Sequence, residues 1–302
     1  MTRHAMLDAA AADDPLAALE LPVEAMSAEA LRGRFETEGA VIVRGLLQDA
    51  RIADLRAALQ AMIVAQLRHA GLFPDPAADL DSLFNALCTH DRALGAAVYE
   101  AARQTPAFYA LATHPWIQDV VRTLLDADLL HVPYDKAMFR IDRAHEPWHE
   151  FQWHQDYPYN LMGEPTVTVW APLTPVTGAM GPLHIVPRSH DRLQRVRLVP
   201  KTGPDGLPRS TLTATLADLD EAALDATAVK VCLEPGDVLF FHHLLLHRSG
   251  RNASPRARWS LVPRYAALLD PGLVSRGWAI ERSPDFALFR EMHPDAVAGA
   301  ED

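Results

Sequence analysis

Cysteine is nearly absent, with Cys88 and Cys232 the whole supply in 302 residues. Two thiols cannot build a disulfide framework or a cysteine-based zinc site, so the chain reads as a protein of a reducing compartment. Basic residues are also scarce, 28 against 39 acidic ones, for a net charge of -11. That balance argues against a nucleic-acid partner, whose phosphates call for clustered cations, and favours a small-molecule substrate. No apolar run reaches the roughly 18 to 20 residues of a membrane span, so no membrane partner is expected. Residues 1–15 place Asp8, Asp13 and Asp14 around a broken alanine run, too acidic for a secretory signal. A cytoplasmic location is therefore expected, and nothing in the composition sets an oligomeric state.

What is present is apolar bulk and a change of pattern part-way along. At 49% hydrophobic, the chain can bury a substantial core. The reading predicts a mobile N-terminal segment over 1–20, one domain over 21–282, and a short helix and tail over 283–302. Ser27 caps a helix carrying Leu31 and Phe35 and stopped at Gly39, followed by a strand at Ala40–Val43. Asp49 caps a longer helix with Ile52, Leu55, Leu59, Met62 and Ile63 at helical spacing, ending near Gly71. Helical support is predicted over 27–127 and a β core over 129–265.

The β core is read from short runs of Val, Thr, Phe and Trp between Pro and Gly turns. Strands are predicted near 137–141, 150–155, 166–173, 181–186, 195–199, 229–233, 237–241 and 257–265. Eight short strands suit a double-stranded β-helix, the jelly-roll or cupin-like architecture, giving a mainly β fold flanked by N-terminal helices. Residues 200–228, opening with Gly203-Pro204-Asp205-Gly206, read as a surface excursion or a lid. Ser283, followed by Pro284, is expected to cap the final helix.

The chemistry concentrates in Trp153-His154-Gln155-Asp156. If 150–155 is a strand, His154 and Asp156 project from one face, because side chains alternate with period two. A third donor must come from elsewhere. His247 is the best candidate, although alternation along the strand after Gly236 places His243 on the same face. Two imidazoles and a carboxylate on one side of a metal is the set associated with non-heme Fe(II) oxygenases. Arg258, eleven residues after His247, offers a guanidinium that can grip a carboxylate bidentately, with Ser249 or Ser260 adding a hydroxyl. Such a clamp is what 2-oxoglutarate requires.

Several ordered motifs resemble the phytanoyl-CoA dioxygenase family of Fe(II)/2-oxoglutarate oxygenases. They are Glu38-Gly39-Ala40-Val41-Ile42-Val43-Arg44-Gly45, Trp153-His154-Gln155-Asp156, Val169-Trp170-Ala171-Pro172-Leu173, Gly181 to His190, Pro235 to His242, and His247 to Asn252 with Arg258. The resemblance implies that His154, Asp156 and His247 ligate iron, that Arg258 and Ser249 hold 2-oxoglutarate, and that Trp170 and Met138 line the co-substrate pocket. It implies Fe(II), 2-oxoglutarate and O2 as the cofactor and co-substrates, with hydroxylation of a small molecule as the expected reaction. Arg188 stands where the family usually has glycine before Ser189-His190, a departure expected to affect a turn. His149, His184 and His190 are expected to be structural or to stand behind the ligands. Tyr157, Tyr159, Asn160 and Met162 are candidates for a substrate wall. Arg188, Arg192, Arg195 and Arg197 form a basic run expected to be a solvated face. The rival readings are a metal-dependent hydrolase, which leaves Arg258 without a role, and a non-catalytic cupin-like binding module.

Overall fold

Alternation of apolar side chains with period two dictates where the sheets lie, and the computed structural model, which describes residues 15–47, 50–75, 77–144, 146, 150–203 and 205–299, follows it. Strand β1 covers Glu20–Pro22 and β2 Ala40–Arg44; β3 is Leu130–His131, β4 Met138–Asp142, β5 Thr166–Pro172 and β6 Leu183–Ile185. Then come β7 (Val196–Thr202), β8 (Pro208–Leu216), β9 (Val229–Val231), β10 (Val238–His242), β11 (His247–Ser249), β12 (Arg258–Val262) and β13 (Arg264–Ala267). The helices are α1 (Ala28–Glu38), α2 (Arg51–His69), α3 (Leu80–His90), α4 (Arg92–Ala102), α5 (Pro106–Ala112) and α6 (Pro115–Leu125). Four short ones follow: α7 (Tyr157–Asn160), α8 (Glu221–Thr227), α9 (Pro271–Ser275) and α10 (Ala287–Met292).

The major sheet runs β1-β2-β10-β5-β12-β4, with β13 joining β3 to β5. The minor sheet is β11-β6-β9. Val167, Val169 and Ala171 of β5 and Val238 and Phe240 of β10 face the helices, packing with Leu55, Leu59 and Ile63 of α2 and Val120 and Val121 of α6. Their alternates Trp170, Leu239 and Phe241 face inward and meet Ile185, Val229 and Val231 of the minor sheet. The result is a two-sheet jelly roll backed by helices, an open sandwich rather than a closed barrel. No helix among the described residues is long and apolar enough to cross a membrane.

Local signals explain the boundaries. The Ser27 hydroxyl accepts from the Ala30 amide at 3.1 Å, satisfying one of the free N–H groups of α1. Gly39 ends α1 at φ +76°, the left-handed conformation that glycine adopts without a Cβ penalty. The cap expected at Asp49, and the role expected of His149, lie outside the described residues.

Four expectations are corrected. Residues 150–155 are not a strand, since one bridge at His154 is their only sheet pairing. The strand expected over 257–265 is two, β12 and β13, broken at Pro263, which has no N–H for a ladder. The segment after 200, expected as a surface excursion or lid, carries a hairpin, β7 against β8, closed by the Gly203 amide donating to the Leu207 carbonyl, with Pro208–Leu216 its return strand. Finally, Ser283 caps no helix: α10 starts at Ala287, after Phe286 in the left-handed region at φ +57°. The turn at Arg188 also departs from rule, with φ +65° in a non-glycine residue, a conformation costing roughly 1 kcal/mol. Its guanidinium grips Glu38, Nη2 to Oε1 at 2.6 Å.

Candidate metal centre

His154 and His247 are brought together by their own backbones. Each amide donates to the other's carbonyl, His154 N to His247 O at 3.0 Å and His247 N to His154 O at 3.1 Å. A directly opposed antiparallel pair presents both side chains on one face, and the two imidazole centroids lie 4.2 Å apart. The chain then turns. Asp156 has helical backbone angles at the start of α7, and its amide donates to the His243 carbonyl at 2.9 Å. Asp156 therefore reaches the histidines from a turn and not by strand alternation. Its Oδ1 lies 3.9 Å from His154 Nε2 and 4.0 Å from His247 Nε2. Those separations exceed hydrogen-bond length and leave room for an ion among three atoms.

The donor chemistry fits a metal. Each Nδ1 is engaged by a backbone carbonyl, Gln152 O for His154 at 2.7 Å and Leu245 O for His247 at 2.9 Å. A proton held on Nδ1 leaves the Nε2 lone pair directed at the cluster. Burial, reinforced by the neighbouring His247, pushes His154 down to about 3, and burial also lowers His247. Burial opposes ionisation of Asp156, but Arg264 and the two imidazoles outweigh it and hold the carboxyl well below the usual carboxylate range. Two neutral nitrogens and one anionic oxygen are thus in ligand-ready form at neutral pH. Among the described residues these are the one group of His, Cys, Asp and Glu able to hold a metal ion, with donor atoms all within 4.8 Å of one another.

Arg264 was not singled out from the sequence, and it is the cluster's main support. Its Nε donates to Asp156 Oδ2 and its Nη2 to Asp156 Oδ1, both at 3.0 Å. Thr168, its partner across β5 and β13, adds a hydroxyl to Oδ2 at 2.7 Å. The available signal was alternation, since 258, 260, 262 and 264 share one parity. Arg264→Gln is expected to weaken Fe(II) binding by about 10- to 100-fold, the usual range for a group supporting a metal ligand. Competition with a chromogenic chelator reads this directly, and unchanged affinity would remove Arg264 from that role.

The remaining candidates divide. One cavity of about 300 Å3 is lined by His154, Asp156 and His247 together with Met138, Ser249 and Arg258. Arg258 is buried and pairs with Asp142, Nη2 to Oδ2 at 2.9 Å, while its Nη1 finds no partner among the described residues. Arg140 binds the same carboxylate at 2.5 Å, so two guanidiniums share one anion. Trp170 and Ser260 do not line this cavity. Trp170 packs between the sheets, and the Ser260 hydroxyl is buried without a partner. His243 is not in the cluster either: the group of mutually close donors is His154, Asp156 and His247, and the His243 Nδ1 accepts from the Thr166 amide at 2.7 Å. Gln155, between two candidate ligands, ties adjoining loops by donating to Arg192 O and Leu244 O. Tyr159 and Asn160 line the cavity; Tyr157 and Met162 do not.

A family model for phytanoyl-CoA dioxygenase (PhyH) matches residues 35–260. The chain belongs to that family. A probable phytanoyl-CoA dioxygenase of Caenorhabditis elegans is 23% identical over 171 residues, 53% of this chain and 51% of that protein. The match thus spans about half the length of that relative. Solved structures share the PhyH-family fold. The epimerase SnoN of nogalamycin biosynthesis, in complex with Fe3+, alpha-ketoglutarate and nogalamycin RO, aligns at a TM-score of 0.52 and 20% identity, covering 80% of this chain and 83% of that one. The carbocyclase SnoK from the same biosynthesis aligns at 0.52 and 21%, covering 87% and 93%. EctD from S. alaskensis with bound Fe aligns at 0.50 and 20%, covering 81% and 78%.

Buried neutral imidazoles also set the acid response of this PhyH-family chain. Burial holds His154 at about 3, His243 at about 4 and His242 at about 2. Below pH 6.5 the unfolded chain takes up protons that the folded chain refuses, so stability falls as pH falls, by about 1.4 kcal/mol per pH unit for each group. Urea unfolding of the metal-free protein at pH 7 and pH 5 checks this. A pH-independent midpoint would show that these imidazoles are not held neutral.

Proposed function

We propose that the chain is an Fe(II)- and 2-oxoglutarate-dependent dioxygenase that hydroxylates an unactivated C–H bond of a small molecule. The observation that carries this is the pairing, in one cavity, of the His154, Asp156 and His247 donors with the buried, partly unpartnered guanidinium of Arg258. Family membership and the shared fold support it. When bound, ferrous iron with 2-oxoglutarate and O2 supplies the oxidant, with succinate and CO2 as co-products.

The chain's own groups do the rest. His154, Asp156 and His247 would hold the metal, supplying two neutral nitrogens and one carboxylate oxygen. Arg258, with Ser249 beside it, takes the distal carboxylate of the co-substrate through the free Nη1. Tyr159 ties the β7–β8 hairpin to the site, its hydroxyl bonded to Thr213 and Ala214, and Leu212 of that hairpin lines the cavity. Succinate release from 2-oxoglutarate with Fe(II) and ascorbate tests the reading. No release with any candidate substrate, and no visible charge-transfer absorption in the anaerobic complex, would sink it.

A further inference from the structure

The cavity at the metal cluster has a neighbour that neither the ligands nor the Arg258 clamp use. A second cavity of about 330 Å3 opens between α3, α4 and β4 and shares Met138, Arg140 and Phe151 with the first. The dividing wall is thin. The Phe151 ring lies 5.2 Å from the His154 ring and carries the Arg140 guanidinium at 4.9 Å. A group resting on Phe151 in the second cavity is therefore one ring's width from a candidate metal ligand.

The second cavity has two kinds of surface. Phe84, Tyr99 and Ile141 give it an apolar, partly aromatic interior. Its rim carries Arg92, Arg143 and Lys201, none of which lines the metal cavity. Its described lining residues include four cations and two carboxylates, Asp142 and Glu146, in a chain with a net charge of -11. Arg140 and Arg258 already share Asp142, and Arg92 and Arg143 both approach Glu146, at 3.5 and 3.0 Å. Lys201, exposed on β7, has no such carboxylate among the described residues. A volume near 300 Å3 lies at the lower end for small-molecule sites.

We infer that this second cavity is a substrate chamber for small organic acids with an aryl-sized apolar body. The body sits among Phe84, Tyr99 and Phe151, and the carboxylate faces Lys201 and Arg143 at the rim. Because the rim cations stand away from the metal cavity, the acid end is held off and the apolar end is directed toward the metal cavity along Met138, Arg140 and Phe151, which line both. The chamber's role as a substrate site rests on the oxygenase reading, whereas its preference for acids does not.

The test uses 4-phenylbutyrate and its neutral analogue 4-phenylbutan-1-ol, titrated calorimetrically into the metal-free full-length protein. The acid is expected to bind about tenfold more tightly than the alcohol, as a charge-assisted hydrogen bond implies. Lys201→Glu should weaken the acid about tenfold and leave the alcohol unchanged, and Ala96→Trp, which fills the rim from α4, should weaken both. Both positions are solvent-exposed, so the variants fold. Equal affinity for acid and alcohol, absence of binding to either, or acid binding that survives both substitutions and is lost in Arg258→Ala overturns the assignment. Visible charge-transfer absorption of the anaerobic wild-type protein with Fe(II) and 2-oxoglutarate, together with succinate release across candidate substrates, reports on the oxygenase reading separately. Absence of both would sink that reading and leave the binding result standing.

Discussion

Asp156→Ala is expected to bring succinate release to background and to abolish measurable Fe(II) binding. The carboxylate is the only anionic donor of the cluster, and a metal left with two neutral imidazoles loses the hard ligand that suits Fe(II). The substitution also strands Arg264, which is largely buried and directs two of its donors at Asp156. Breaking a buried pair from one side costs about 3 to 5 kcal/mol, so lost turnover could reflect a failing fold rather than a missing ligand. The double variant Asp156→Ala/Arg264→Met separates the two. With the stranded cation gone, denaturant unfolding should recover most of the stability while succinate release stays at background. Recovery of both together would mean that Asp156 serves the fold and not the metal.

Arg258→Ala should raise the 2-oxoglutarate requirement far more than it changes iron affinity. Arg258 lies across the same cavity as the ligands but donates to none of them. Its removal does not orphan Asp142, because Arg140 still donates to both oxygens of that carboxylate, so the fold should tolerate the change. Losing one partner of a buried, charged hydrogen-bonded pair costs about 2 kcal/mol or more, which corresponds to an increase of about 30-fold in the apparent KM for 2-oxoglutarate. Arg258→Lys should fall between the two, since a lysine supplies charge without the planar fork. Normal 2-oxoglutarate dependence in Arg258→Ala would show that the clamp lies elsewhere in the cavity.

Much of the fold was legible because burial enforces alternation. In β5 and β10 the residues of one parity meet the helices and those of the other meet the minor sheet, and that pattern is written in the side chains. The grouping of 154, 156 and 247 was legible as residue types and motifs, but the reason first offered for it was wrong. A single bridge and a helical turn do what a regular strand was expected to do. Trp170, named through the resemblance, and Ser260, offered beside Ser249 as a hydroxyl for the clamp, lie outside the cavity lining: Trp170 packs between the sheets and Ser260 is buried in β12. Arg264 went unnamed although it fell within the strand expected over 257–265 and shares the parity of Arg258, a parity that continues through the break at Pro263. The return strand at Pro208–Leu216 was hidden behind a Gly-Pro turn read as the start of a loop rather than the bend of a hairpin.

The reciprocal amide bonds between His154 and His247 separate scaffold from chemistry. Main-chain groups set the spacing of those two positions, and every residue except proline has the same amide and carbonyl to offer. Exchanging either imidazole for another donor would therefore alter what the centre prefers to bind without shifting the backbone that holds it. The frame can outlast a change of metal.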